Sequence, residues 1–132
     1  MLEDVSETGL NLARVLDAAA QAHVSAAERA RTERNDALWR AQIDAAYERA
    51  AAAAALVACH YDAEPERTEF HIGAARIAML AGFLKRAEDL IAAARTGRSP
   101  DGYAATIAEM VFEIRRDRAK SVSVDDAGRE LA

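Results

Sequence analysis

Thiol, imidazole and carboxylate side chains gather around the proline at position 65. They are Cys59, His60, Glu64, Glu69 and His71. His60 and Glu64 are four residues apart, and zinc prefers ligands of these three kinds, so the turn could hold a metal ion. The competing interpretation is packing and capping at a helix end. We favour it because the Glu-x-x-His spacing of metal-binding helical bundles does not occur in the chain.

The segment EFHIGAARIAMLAGFLKRAEDL resembles the histidine-phosphotransfer family. In that family an exposed histidine on a four-helix bundle accepts a phosphoryl group, and the resemblance implies this role for His71. The family has a basic residue and then a glycine just after the histidine, whereas here Gly73 comes early, Gly82 comes late and the first lysine is Lys85. The alternative is that His71, which follows Phe70, is a half-buried structural histidine.

Other catalytic sets are missing from the sequence. Nucleophilic catalysis needs a serine or cysteine beside a base and an orienting acid. The chain has three histidines and one cysteine, but no nucleophile elbow and no glycine-rich loop that could cradle a phosphate. We therefore predict no catalytic residue, no cofactor, no metal ligand and no enzymatic activity.

Composition and net charge indicate which classes of partner the chain could bind. The 132 residues carry 22 acidic and 17 basic side chains, and the net charge of −5 gives no reason to expect nucleic-acid binding. A single cysteine cannot form an internal disulfide, which favours a reducing compartment. The acidic N-terminus is unlike a signal peptide, and the apolar run 50–59 is too short to span a membrane. We expect a cytoplasmic protein that binds another protein or itself.

Helices are the elements that must position these side chains. Apolar residues at helical spacing, with Leu12, Val15 and Leu16 among them, predict a first helix over about 9–23. Ser25 and Glu28 match a capping box, which predicts that a new helix begins at residue 26.

One long helix is predicted after that capping box. No proline or glycine occurs between residue 26 and Pro65, so the helix would extend over about 26–62. The alternative is a break at Asn35-Asp36, because these residues favour caps over helix interiors. Its apolar face follows steps of four and three residues, as in a coiled-coil seam. We call this face the α2 seam; its members are Trp39, Ile43, Ala46, Ala50, Ala53, Val57 and Tyr61.

Two further helices are predicted after a turn at about 62–67. The third has the core stripe Phe70, Ala74, Ile77, Leu80 or Ala81, Leu84, Ala87 and Ile91, and it ends at Thr96-Gly97. Ser99-Pro100-Asp101 then predicts a helix start, with serine as cap and proline at the first helical position. The buried stripe of this fourth helix is Tyr103, Ile107, Met110, Val111 and Ile114.

These elements predict an all-α fold. We expect a three- or four-helix antiparallel bundle in a single domain over residues 1–120, with a flexible tail over 121–132. The main functional hypothesis is a non-enzymatic protein-interaction module that self-associates through the α2 seam, because its small residues let another helix come close. The alternatives are a phosphotransfer or metal-holding bundle centred on His71 and His60, and a small acidic inhibitor that occupies a partner's basic groove.

Overall fold

The described backbone forms five α-helices and one short 3-10 helix. A computed structural model describes the backbone of residues 2–97 and 99–131 and the side chains of residues 7–97 and 99–120. The elements are α1 (Leu2–Thr32), α2 (Asp36–Val57), α3 (Glu66–Ala81), α4 (Leu84–Arg95), the 3-10 helix (Asp101–Tyr103) and α5 (Ala104–Leu131). No strand occurs in the described backbone, which confirms the all-α class.

The predicted long helix over 26–62 is wrong, because the chain turns back at residues 33–35. Arg34 adopts a left-handed backbone conformation with φ of 57°. The amides of Arg34 and Asn35 bond back to carbonyls in the last turn of α1, which ends that helix. The Asn35 side chain accepts a hydrogen bond from the Leu38 amide at 3.1 Å and starts α2. The helix break therefore lies at Asn35-Asp36, which was the alternative prediction.

The predicted helix start at Ser25 is also wrong, since α1 is continuous through it. Ala20 and Ala27, on either side of Ser25, are fully buried in clusters that include α2 residues. Once both flanking turns are packed, continuing the helix between them adds hydrogen bonds without a new nucleation step. The predicted first helix over 9–23 is thus the middle of one longer helix.

Gly82 divides the predicted third helix into α3 and α4. It has φ of 83°, a conformation that glycine adopts without a steric penalty. Its amide bonds the Met79 carbonyl at 3.1 Å, and the Phe83 amide bonds the Ala78 carbonyl at 2.8 Å. These two bonds are those of a Schellman cap, so α3 ends here although the apolar pattern continues.

The helices pack in series. Each helix makes its main contacts with the elements next to it in sequence. α1 and α2 form an antiparallel hairpin, because Ala27 packs near Ile43 whereas Ala13 shares a cluster with Val57. α1 and α5 therefore lie at the two ends of the stack, and each keeps an outer face exposed to solvent.

Two clusters make up most of the core. The cluster of α1, α2 and α3 is dominated by alanine and contains Ala13, Ala20, Ala46, Ala50, Ala53, Ala54, Val57, Phe70, Ala74 and Ile77. The cluster of α3, α4 and α5 has larger side chains and contains Ile72, Ala75, Ala78, Ala87, Ile91, Ala94, Ile107, Met110 and Ile114. α3 contributes one face to each cluster and so joins the two ends of the molecule.

The start of the last helical segment agrees in position with the prediction. The 3-10 helix follows Pro100 and leads into α5. Ser99 is not the cap, however, because its hydroxyl donates to the Ala94 carbonyl at 2.9 Å and thereby ties the loop to α4.

Residues 121–132 differ from the predicted irregular tail. α5 continues through this segment to Leu131, while residue 132 and the side chains after Lys120 lie outside the described residues. No proline follows Lys120 and the first glycine is Gly128, so an existing helix can propagate into the segment. The extent of the single domain stays a prediction.

Candidate functional site

Most of the α2 seam is covered by the chain itself. The five members that lie within the clusters are at most 2 % exposed: Ile43, Ala46, Ala50, Ala53 and Val57. α1 lies against them on one side and α3 on the other. The close approach that small residues permit is therefore used inside one molecule.

The two aromatic ends of the α2 seam remain accessible. Trp39 is half-buried, and the guanidinium of Arg31 lies 4.7 Å from its ring centroid. Tyr61 lies beyond the end of α2, is 49 % exposed, and stacks on the guanidinium of Arg67 at 4.8 Å. Both rings contact arginines of their own chain, so neither is an isolated surface aromatic.

A buried arginine, Arg67, connects the ends of two helices. Its side chain is in α3 and only 1 % exposed. Nε donates to the Ala58 carbonyl at the end of α2, and Nη2 donates to the Ala93 carbonyl in the last turn of α4, each at 2.9 Å. Helix C-termini carry partial negative charge, so two of them stabilise this cation without a carboxylate. Nη1 has no hydrogen-bond partner among the described residues.

Gly97 allows this arrangement. A methyl group at Gly97 would collide with Nη1 of Arg67, and the Tyr61 ring lies close by. The guanidinium is thus enclosed by the loop after α4, and its role is to hold the ends of α2 and α4 together.

His71 is buried beside Arg67. It is 2 % exposed, and its Nδ1 is 2.7 Å from the Arg67 carbonyl oxygen. Burial lowers the pKa of this imidazole below its ordinary value, because a charged ring would lose its solvation. A neutral histidine that donates to a backbone carbonyl is a structural feature of the core.

The other residues around Pro65 are engaged separately. Glu64 accepts hydrogen bonds from the Thr68 amide at 2.7 Å and from the Thr68 hydroxyl, so it caps the start of α3. Glu69 accepts from the Tyr103 hydroxyl, and this bond raises the pKa of the phenol. Cys59 is exposed. Among the residues with described side chains, no three His, Cys, Asp or Glu lie close enough to hold a metal ion.

An ion pair engages Arg14, which is the only lysine or arginine in the first 25 residues. Arg14 donates to both carboxylate oxygens of Glu66, from Nε at 2.6 Å and from Nη2 at 2.5 Å, and so links α1 to α3. The guanidinium lowers the pKa of the Glu66 carboxyl. The other acids of this segment with described side chains, Glu7 and Asp17, form no ion pair with a described residue.

A concave surface lies between α4 and α5, here called the α4–α5 groove. Its wider part has a volume of about 660 Å³ and an apolar floor of Pro100, Ala104, Ile107, Ala108 and Val111. A narrower part of about 190 Å³ lies between Ile91 on α4 and Ile114 on α5. The wider part is within the size range of ligand sites, and the groove runs along the helices.

Two arginines border the α4–α5 groove where its parts meet. Arg95 at the end of α4 and Arg115 on α5 line both the wider and the narrower part. Neither forms an ion pair with another described residue. At the narrow end, Arg118 pairs with Glu88 and joins α5 to α4. The groove thus offers an apolar floor with two arginines that form no described ion pair, and with one carboxylate, Asp101, in its wider part.

No family model, curated protein or solved structure matches the chain. None of the described helices combines the length and apolar character needed to cross a membrane. The function must accordingly be inferred from the geometry of this chain.

Proposed function

We propose that this chain is a non-enzymatic protein-interaction module and that its partner-binding surface is the α4–α5 groove. The observation that carries the proposal is an open apolar cleft bordered by Arg95 and Arg115. Apolar area supplies affinity, and unpaired charges at the border supply orientation and selectivity.

The shape of the α4–α5 groove favours a helix as the bound element. Ala104, Ala108, Val111 and Arg115 follow one another at steps of four, three and four residues, so they lie on one face of α5. That face is roughly 16 Å long, or three helical turns. Small side chains at two of the four positions allow a second helix to pack closely, as in helix-in-groove recognition.

This proposal moves the interaction surface away from the α2 seam. Five seam residues are already buried inside the chain, and a partner could reach them only by displacing α1 or α3. Trp39 and Tyr61 remain accessible at the ends, but they are separated by the whole length of α2. Self-association through the seam therefore has less support than binding at α5.

The alternatives are less well supported by the geometry. Phosphotransfer requires an accessible histidine, and His71 is 2 % exposed. Glu64 and Glu69, the carboxylates considered for a metal site, bond to Thr68 and Tyr103 instead. An acidic inhibitor would present mainly carboxylates at its binding surface, whereas the α4–α5 groove is lined by two arginines and one aspartate. The exposed, unpaired Cys59 remains consistent with the proposed cytoplasmic location.

A peptide selection tests the proposal. A displayed library of helical peptides of about 16 residues is selected against sparsely immobilised protein, and we expect binders with Kd values on the order of 1–100 µM. Ala108→Trp fills the groove from an exposed position and should weaken these binders at least tenfold in fluorescence anisotropy.

The matched control is Ala55→Trp, which adds the same ring at an exposed position of α2. It should leave peptide binding unchanged. If no peptide is enriched, or if both tryptophan variants bind the selected peptides as well as wild type does, the α4–α5 groove is not the interaction surface.

A further inference from the structure

The serial packing of the helices leaves two ends, and the α1 end is apolar. α1 lies at the edge of the stack, and two of its large apolar side chains are exposed to solvent. Leu12 is 50 % exposed and Val15 is 65 % exposed. In stacked helical proteins the terminal element normally presents a polar outer face, because it has no further neighbour. The outer face of α1 lacks this protection.

These two side chains begin a regular stripe along α1. Its members are Leu12, Val15, Ala19, Ala22 and Ala26, at steps of three and four residues, and it contains no charged residue. Ala22 is exposed, and Ala19 and Ala26 are half-buried. This spacing is that of a helix-packing seam, and no described helix covers it.

The α5 end carries a second exposed apolar surface. Phe112 is 67 % exposed, the highest value among the exposed large hydrophobic residues of the described chain. It follows Val111 and lies one turn after Ala108, so it is adjacent on α5 to the residues that line the α4–α5 groove.

The two ends have complementary charge. Glu7 is exposed on α1, Glu3 and Asp4 precede it in the sequence, and Arg14 is already paired with Glu66. The α4–α5 groove presents Arg95 and Arg115 without ion-pair partners among the described residues. The N-terminal part of α1, which is acidic and apolar, therefore complements a groove in which two arginines outnumber one carboxylate, Asp101.

We infer that the outer face of α1 from a second copy of this chain occupies the α4–α5 groove. This inference rests on the proposed function, since it names the partner of the same groove. The contact joins two different surfaces, so each molecule has one donor end and one acceptor end, and association continues into chains or closes into rings. A direct α1–α1 pair would leave both groove arginines without partners.

Two variants block one end each. Leu12→Glu/Val15→Glu places charge on the α1 stripe, and Ala108→Glu/Phe112→Glu places charge on the α5 surface, all at exposed positions. Light scattering is measured from about 1 to about 100 µM, with circular dichroism and melting as checks of folding. The wild-type mass should rise above 14.2 kDa with concentration, and each variant alone should stay at that mass.

Mixing the two blocked variants provides the decisive measurement. The first keeps an intact α4–α5 groove and the second keeps an intact α1, so a one-to-one mixture should reach twice 14.2 kDa and no more. The control Ala52→Glu/Ala55→Glu adds the same charge on exposed positions of α2 and should associate like wild type. Arg95→Glu/Arg115→Glu should weaken association of the otherwise unchanged chain, and the wild-type contact should weaken with salt.

Two outcomes overturn the inference. One is a wild-type mass that stays at 14.2 kDa up to about 100 µM; the other is wild-type association with no dimer in the mixture. Peptide binding that is lost in Ala108→Trp would still uphold the α4–α5 groove as an interaction surface in either case. Failure of the proposed function is recognised separately, by a peptide selection that yields no groove binder.

Discussion

Alanine has different roles in the hairpin of α1 and α2 and in the groove of α4 and α5. In the hairpin, Ala13, Ala20 and Ala53 are fully buried between neighbouring helices. In the groove, Ala104 and Ala108 occur at helical spacing but stay exposed. Small residues at helix-packing positions allow a second helix to pack closely. Whether that second helix belongs to the same chain depends on where the first helix lies in the stack.

The arginines of the two regions differ in the same way. Arg67 is buried and bonds the carbonyl ends of α2 and α4, whereas Arg95 and Arg115 lie at an open cleft without ion-pair partners among the described residues. A buried cation with fixed acceptors contributes to the fold. A cation at an open apolar surface remains available to a partner.

Replacing the buried arginine should have the largest effect on stability. Arg67→Met keeps an unbranched apolar stem but removes the guanidinium, which leaves the carbonyls of Ala58 and Ala93 without their donors. Each buried acceptor that loses its partner costs about 1–3 kcal/mol, so we expect the free energy of unfolding to fall by roughly 2–4 kcal/mol in urea denaturation.

Arg95→Met is the matched control for that measurement. This arginine lies at the groove and is exposed, so the free energy of unfolding should change by less than about 0.5 kcal/mol. Equal losses in the two variants would show that the contrast between a structural and an available arginine is incorrect.

Enlarging one alanine in each region should have the next largest effect. Ala53→Leu inserts three carbon atoms into a position that is 0 % exposed between helices, and overpacking of this kind lowers stability by about 1–3 kcal/mol. Ala108→Leu places the same side chain in the open groove, where stability should change by less than about 0.5 kcal/mol. Thermal melting compares the stability of the two variants. A larger loss of stability for Ala108→Leu than for Ala53→Leu would show that position 108 is the more tightly packed one.

The sequence predicted the helical class and many buried positions, but several boundaries depended on tertiary structure. Asn35 was a readable cap signal, whereas the left-handed conformation of Arg34 has no side-chain signature. Ser25 looked like a helix start, yet packing of Ala20 and Ala27 carries α1 past it. Gly82 was a visible breaker, but the apolar spacing that continues from α3 into α4 concealed the break.

The candidate surface was less predictable than the helices. Ile107, Met110 and Ile114 were expected to be buried, and they are. The α4–α5 groove was not predicted, because it depends on how α5 packs against α3 and α4, which the apolar spacing within α5 does not specify. Arg67 was also missed, since an arginine in the first turn of a helix usually lies at the surface. A possible clue was the absence of a basic residue in the last turn of α2.

The smallest expected effect is on the pH dependence of stability, and it concerns the buried residue His71. Burial lowers the pKa of His71 below its ordinary value of 6.5, so near and below that value the unfolded chain binds a proton that the folded chain does not. The stability contributed by the neutral ring is present above about pH 6.5 and is lost as the pH falls toward the folded-state pKa. Urea denaturation at about pH 7 and about pH 5 should therefore show a smaller loss on acidification for His71→Gln than for wild type. His60→Gln controls for removal of a histidine outside the core, and an unchanged loss in His71→Gln would show that the buried imidazole does not set this dependence.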